Sequence, residues 1–333
     1  AVHTPAEAKA SDITYFTTKK AGMSFANHPK SASPLERDSS SAVRMIQDNR
    51  VYAGMMKSYD DSLQELRDYL AATADPLNPG KMLSETTVIV ISSDHGGKSS
   101  SAFGSGNTPS KSQEDDATDP VSYNGSSNAY SNYPTANYPY RLGKTWVYEG
   151  GLKIPLIVYY PGLTDGGGET DAFVHGADFA SSFSDITGAT PSTGFVDSKS
   201  FMLPVAKQEN AARHEQFHFF TNASTGTGNP AIACYRKGDY KLLYFMVQRR
   251  VELYHLASDP YEKNDLSKIR PDIAKEMLQA VYTQHLSTGA KMPKPGSNSW
   301  RSEQEVLVSN GVTTLPSPPD AAPSGLSVTQ ISE

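Results

Sequence analysis

The sequence predicts an α/β core followed by a small antiparallel sheet that a helix closes. Three observations predict it. Two runs, TTVIVIS (86–92) and IPLIVYY (154–160), are apolar on both faces. That is the pattern of buried strands in a parallel sheet. A long amphipathic segment precedes the first of them, so helix and buried strand alternate as in a βαβ layout. Beyond about Arg213 the pattern changes to short strand-like runs separated by tight turns.

From Val51 to Leu70 the large apolar residues are Tyr52, Met55, Met56, Tyr59, Leu63, Leu66 and Leu70. Their spacing of three and four defines one face of a helix. Asp60, Asp61, Gln64, Glu65, Arg67 and Asp68 take the other face, and Pro76 to Gly80 form the loop that ends it. After the first strand, residues 97–139 are rich in Ser, Gly, Asn, Asp and Tyr, a polar insertion or lid. The second strand closes at Pro161-Gly162. A helical segment, ADFASSFSDITG, follows and ends at Gly188. AIACYRK (231–237), YKLLYFMV (240–247) and VELYHL (251–256) then read as a three-stranded meander, the first two joined at Gly238-Asp239. PDIAKEMLQAVYTQHL (271–286) has Pro in its first turn and an apolar stripe at Ile273, Met277, Leu278 and Val281, so it reads as a helix. The tail TTLPSPPDAAPSG (313–325) reads as a linker, and PDAAPSGLSVTQIS (319–332) resembles the opening of a fibronectin type III module. The expected organisation is therefore a core over 1–212, a sheet subdomain over 213–300 and a linker over 301–333.

Composition narrows the functional classes. Thirty Lys+Arg against 36 Asp+Glu give a net charge of −6, which argues against nonspecific nucleic-acid binding. One cysteine, Cys234, excludes an intrachain disulfide and a Cys-rich zinc site. No apolar run is long enough to span a membrane as a helix. The chain starts at Ala1 with no signal-peptide pattern; a removed signal or the edge of a longer protein would each give such a start.

Three places carry potential chemistry. Ser93-Asp94-His95-Gly96-Gly97 directly follows the first strand, where open α/β sheets bind ligands. An Asp there can carry a metal, and the adjacent His can complete the shell or bind an anion; Gly96 and Gly97 would let the backbone turn sharply and approach a ligand closely. An ordinary strand-to-loop turn with a capping Asp fits the same residues. In Arg141-Leu142-Gly143-Lys144, Gly143 would free the backbone so that Lys144 points inward, as a point charge for a sulfate or phosphate oxygen. A solvated surface lysine is the alternative. The third is His3, which on its own suits a structural role equally. Trp146 and Tyr148 suit either a sugar platform or the core. His175 and His214 are candidates for a cleft wall, while His28, His255 and His285 read as surface or packing residues.

DHGG, then RLGK…YEGGLKIPLIVYYPG, then VELYHLASDPYEKNDLS, in this order, resemble the formylglycine-dependent sulfatases of the alkaline phosphatase superfamily. AVHTPAEA, NRVYAGMMKSYDDSLQELRDYL, HGADFASSFSDITGATP and the GDYKLL hairpin match as well, so the resemblance runs from His3 to Pro293. It implies an alkaline-phosphatase-like sheet with flanking helices, incomplete at the N-terminus, and hydrolysis of sulfate esters. It further implies that Asp94 and His95 are metal ligands, with calcium as the metal. Lys144 and His3 would contact the sulfate, and His3 would help protonate the leaving alcohol. The GK-x-W-x-YEGG segment and the GAKMP ending (289–293) point within the family to sulfated carbohydrates. By the same resemblance the protein would be periplasmic or secreted.

The sequence departs from the family twice. The nucleophile motif, Cys/Ser-x-Pro-x-Arg, is absent from this chain. Cys234 lies in CYRKG, and Ser33-Pro34-Leu35-Glu36-Arg37 has the wrong spacing. The family's Asp-Asp metal pair, first Lys and second His would also precede His3, so the formylglycine is expected upstream and the chain alone is expected to be inactive. A His-rich stretch of close relatives reads FHFFTNAST here, keeping only His218 as a substrate contact. Two rivals remain. A phosphonate or phosphate-ester hydrolase of the superfamily would share the metal pair and the tetrahedral anion site. A glycan-binding relic without activity would account for the missing nucleophile.

Overall fold

The computed structural model describes residues 8–22, 29, 35–38, 41–99, 134–164, 166–190, 197–209, 215–220, 231–246 and 250–288. His3, His28, His214, most of the 97–139 insertion and the 301–333 tail lie outside them.

The N-terminal part opens with α1 (Ala10–Ala21) and a hairpin of β1 (Leu35–Asp38) and β2 (Ser41–Arg44). Neither is foreshadowed by sequence periodicity. The long helix α2 (Arg50–Ala72) forms as its spacing predicts. Asn49 caps it by accepting the Tyr52 N–H at 2.9 Å, which satisfies an amide that has no helical partner. α1 packs on α2, and Gly54 sits where a Cβ would lie 2.9 Å from that of Ala8. Farther along, Tyr59, Leu66 and Tyr69 of α2 stand exposed.

The two apolar runs become β3 (Ile89–Ser92) and β4 (Leu156–Tyr159), and here the structure corrects the parallel, buried expectation. They pair antiparallel as a two-stranded sheet, Val90 opposite Val158. Their side chains are only half covered, with Ile157 57% and Tyr159 43% exposed. A continuous apolar run reports that both faces suit burial; it carries no information on strand direction or on whether neighbouring strands are present. Between the two strands lies the short α3 (Glu149–Leu152). α4 (Asp178–Thr187) ends at Gly188, whose φ of 69° gives the left-handed cap expected of glycine. α5 (Met202–Ala206) follows and packs on α4.

The C-terminal sheet has four strands in sequential antiparallel order. β6 (Ile232–Lys237), β7 (Tyr240–Phe245) and β8 (Arg250–His255) are the predicted meander, and β5 (Glu215–Phe220) adds an edge strand. The pleat divides its side chains between two cores. Ala233, Tyr235, Leu242, Tyr244, Val251 and Leu253 face α6 (Pro271–Thr288), which buries Ala274, Met277, Leu278 and Val281 against them. At about 1.5–3 kcal/mol for each large side chain buried, this interface is a main source of local stability. The opposite face carries Ile232, Cys234, Leu243, Phe245 and Tyr254. It buries Leu142, Trp146, Val147 and Tyr148, the segment that follows Arg141. The sheet is thus the platform on which the Lys144 loop rests.

Candidate functional site

Asp94 and His95 lie just past the carboxyl end of β3. Asp94 Oδ1 accepts the His95 backbone N–H at 3.0 Å, which folds the carboxylate over its own turn. The His95 Nε2 is 3.3 Å from Asp94 Oδ2, and both side chains are open to solvent, 31% and 54% exposed. His95 Nδ1 is 2.9 Å from Gly96 O, an acceptor without a hydrogen to give, so Nδ1 holds the proton in the neutral ring. The Nε2 lone pair then faces a carboxylate oxygen, an arrangement that a proton or a cation between them stabilises. The pair thus offers one oxygen and one nitrogen donor to a metal. Among the described residues no group of three or more His, Cys, Asp or Glu gathers around a single point. Asp94 and His95 fit part of a divalent-cation shell.

The Lys144 loop docks directly on this turn. Lys144 N–H donates to Gly97 O at 3.0 Å, and Gly96 N–H donates to Gly151 O at 2.8 Å. The Asn137 side-chain amide lies 2.7 Å from Gly97 O, 2.9 Å from Leu142 O and 3.0 Å from Gly150 O, so its two hydrogens tie both loops together. Ser99 Oγ donates to Leu142 O at 2.9 Å. The structure therefore brings Asp94, His95 and Lys144 onto adjoining loops. His3 lies outside the described residues; His218 is placed by its backbone alone, opposite Cys234 in the sheet.

The glycines act differently from the expectation of sharp turns and close approach to a ligand: what approaches closely is neighbouring backbone. Neither Gly96 nor Gly143 has a positive φ. A Cβ on Gly96 would lie 1.9 Å from Gly150 O, and one on Gly143 would lie 2.3 Å from Gly97 O. Close backbone-to-backbone contact is what requires glycine here. The left-handed positions are Leu142 (φ 55°) and Thr145 (φ 77°), on either side of the Gly143-Lys144 pair. Such conformations in non-glycine residues are strained and persist only where surrounding contacts enforce them.

A buried ionic clamp lies at the end of the same segment, at Glu149. Lys241 of β7, 1% exposed, places Nζ 2.8 Å from Glu149 Oε1 and 2.8 Å from Glu262 Oε1. Glu262 also accepts the Glu149 backbone N–H at 2.6 Å. Burial raises the Glu262 carboxyl, with the Glu149 charge adding to it. Burial works in the same direction on Glu149, but the Lys241 ammonium outweighs it and holds that carboxyl below its usual range. Burial alone would lower Lys241; the two carboxylates outweigh it and keep the ammonium charged. Beside the clamp, Glu252 Oε2 accepts from the hydroxyls of Tyr148 (2.6 Å) and Tyr254 (2.8 Å), and the Arg141 guanidinium stacks 4.1 Å above the Tyr148 ring. Trp146 and Tyr148 are fully in the core, so neither is a sugar platform.

Other candidates resolve plainly. The Cys234 thiol is buried in the sheet and pushed up to about 12 by that burial, so it stays unreactive. His175 accepts the Ala177 N–H on Nδ1 at 3.2 Å near the start of α4, His255 packs on Tyr240, and His285 is buried. Sequence reasoning passed over Lys98 and Asn137. The lysine following DHGG was the available signal for the first; nothing in the sequence marks the second.

The chain is similar to known proteins along most of its length. Residues 3–189 match the family model described as Sulfatase, and residues 140–288 match that described as N-sulphoglucosamine sulphohydrolase, C-terminal. A sulfatase of Formosa agariphila is 34% identical over 149 residues, 41% of this chain and 27% of the relative. An uncharacterised sulfatase of Schizosaccharomyces pombe is 25% identical over 251 residues, 72% of this chain and 43% of the relative. Among solved structures, Ps i-CgsB in complex with k-i-k-neocarrahexaose superposes with a TM-score of 0.58 at 18% identity, over 94% of this chain and 53% of that one. BT4656 in complex with its substrate D-glucosamine-2-N,6-O-disulfate gives 0.52 at 18% identity, over 74% and 42%. This chain spans about half or less of the length of each.

Proposed function

This chain belongs to the sulfatase family, and from that premise we propose that it forms the part of a sulfuric ester hydrolase that binds the sulfate group and one side of a metal. The observation that carries the reading is the docking of the Lys144 loop on the Asp94-His95 turn, through the Lys144 N–H to Gly97 O bond. Asp94 and His95 would hold a divalent cation, calcium in this reading. Asp94 suits a hard cation, while a nitrogen donor is less usual for calcium. When bound, the cation would polarise the sulfate oxygens.

The chain's own residues supply the rest. Lys144 would donate to the sulfate and to the bridging oxygen, where negative charge grows as the S–O bond breaks. His3 would give a proton to the departing alcohol. Neither Cys234 nor Ser33 suits the nucleophile, so the formylglycine of the family would come from residues beyond this chain, and the chain alone would not turn over substrate. A sulfated carbohydrate is the substrate class proposed, because BT4656 is bound to a sulfated glucosamine and the GAKMP ending points the same way. His218 would contact the sugar. A periplasmic or secreted setting accords with such substrates; among the described residues no helix is long and apolar enough to cross a membrane.

The test compares aryl sulfate with aryl phosphate turnover in the protein extended to include the nucleophile segment. Faster release of sulfate, lost in Asp94→Asn and Lys144→Gln, supports the reading. Faster release of phosphate, or activity indifferent to both substitutions, overturns it.

A further inference from the structure

The lysine that follows the metal turn has no role in the account so far. Lys98 is half-buried, and its backbone belongs to the same docked pair of strands of chain as Lys144: Gly97 O accepts the Lys144 N–H at 3.0 Å, and Lys98 O accepts the Thr135 N–H at 3.4 Å. The Asn137 amide, 2.7 Å from Gly97 O and 2.9 Å from Leu142 O, fixes the two segments against each other. Lys144 is therefore itself the donor of this backbone contact, and Lys98 is the residue next to its acceptor. Several described lysines at buried or half-buried positions find carboxylates: Lys241 with Glu149 and Glu262, Lys57 with Asp61, Lys20 with Asp48. Lys98 and Lys144 have no ion pair with any described carboxylate. Burial and the positive field of Lys144 both lower the Lys98 pKa, so the two ammoniums oppose each other in the free protein. Like charges brought together without a counter-ion favour an anion between them.

We propose that Lys98 is a second ammonium ligand of the sulfate group that Lys144 binds, so that one tetrahedral oxyanion is shared by the DHGGK and LGK loops. The inference rests on the assignment of Lys144 to the sulfate. Two ammoniums facing the anion also offset the Asp94 carboxylate, which would otherwise repel a sulfate beside it. Lys98 touches the substrate anion in this scheme but performs no proton transfer; its contribution is charge and orientation.

The test is inorganic sulfate binding to the full chain, followed by calorimetry in low-salt buffer, for the parent, Lys98→Gln, Lys98→Arg and Lys144→Gln. Circular dichroism and the thermal midpoint confirm that each variant is folded. The expected result is a loss of about tenfold or more in affinity for Lys98→Gln, the size of a partly exposed charge-assisted hydrogen bond. Lys98→Arg keeps most of the affinity, because the charge is retained. The dependence on added chloride is shallower in Lys98→Gln than in the parent. If Lys144→Gln loses sulfate binding while Lys98→Gln keeps it, the proposal falls and the Lys144 assignment stands. If neither substitution changes binding, or the parent binds no sulfate, the Lys144 assignment falls and takes the proposal with it. Should Lys98→Gln prove unfolded, loss of affinity in a folded Lys98→Met decides in favour and its retention decides against.

Discussion

Replacing Lys241 by Met tests how the C-terminal sheet supports the candidate site. The side chain is 1% exposed and lies between Glu149 and Glu262, whose side chains are 12% and 0% exposed. Removing one partner of a buried ionic group leaves charge without compensation and costs about 3–5 kcal/mol. For a unit of 150–250 residues each kcal/mol moves the midpoint by about 2–4 °C, so Lys241→Met should melt roughly 6–20 °C lower at pH 7. The pH dependence gives the sign. In the parent, Lys241 has a folded-state pKa raised above its unfolded value. Its contribution is fully present below the ordinary lysine pKa and is lost only as pH rises through the folded value. In Lys241→Met both carboxyls are left buried without a cation, so their folded pKa values rise. The folded state then binds more protons, and the deficit should shrink as pH falls from 7 towards 5. Adding Glu149→Gln and Glu262→Gln to Lys241→Met should recover most of the loss, since a neutral cluster needs no counter-charge. Differential scanning calorimetry at both pH values reads all of this. A Lys241→Met midpoint within about one degree of the parent at pH 7 would refute the clamp as a source of stability.

Further outcomes follow from the same geometry. Glu262→Gln should cost less stability than Glu149→Gln at pH 7, because the Glu262 carboxyl is raised by burial and the Glu149 carboxyl is held low by Lys241; urea midpoints compare them. Gly96→Ala should cost about 1–3 kcal/mol by overpacking, its Cβ meeting Gly150 O at 1.9 Å, and should weaken sulfate binding with it. Asn137→Ala should cost about 1–3 kcal/mol by leaving the Gly97, Leu142 and Gly150 carbonyls without their shared donor; hydrogen exchange at Lys144 N–H should accelerate. Sulfate affinity should decline as pH rises through a Lys98 pKa below the ordinary lysine range, because deprotonation removes an anion ligand. The decline should begin at a lower pH than in Lys98→Arg, measured by titration calorimetry.

The sequence disclosed elements wherever side-chain period decides structure. α2, α4 and α6 and the meander from β6 to β8 follow from spacing, capping residues and turn residues. It was silent where partners decide. The run in β3 is apolar on both faces yet lies half-exposed in an antiparallel pair, while Leu242 to Phe245 in β7 form an equally continuous run that is buried on both sides. Only the layers on either side distinguish the two. Asp94, His95 and Lys144 could be read from motifs as candidates, and their adjoining loops follow from the fold, but the backbone contacts that require the glycines could not. Gly96 and Gly143 answer to carbonyls supplied by residues distant in sequence. The same holds for the most family-specific motifs. Glu149 of YEGG and Glu252 of VELYHL serve the buried clamp and the tyrosine network, which hold Arg141 to Tyr148 against the sheet. Pattern alone identifies such residues without telling a structural duty from a chemical one.

Diffraction from crystals soaked with manganese and sulfate bears most directly on the proposed site, manganese standing in for the proposed divalent cation with a usable anomalous signal. The expected map has an anomalous peak at coordination distance, about 2.0–2.6 Å, from both Asp94 Oδ2 and His95 Nε2. A sulfate should share the Lys144 ammonium on its other side. A peak bound elsewhere, or a sulfate that avoids Lys144 while the metal is in place, would contradict it.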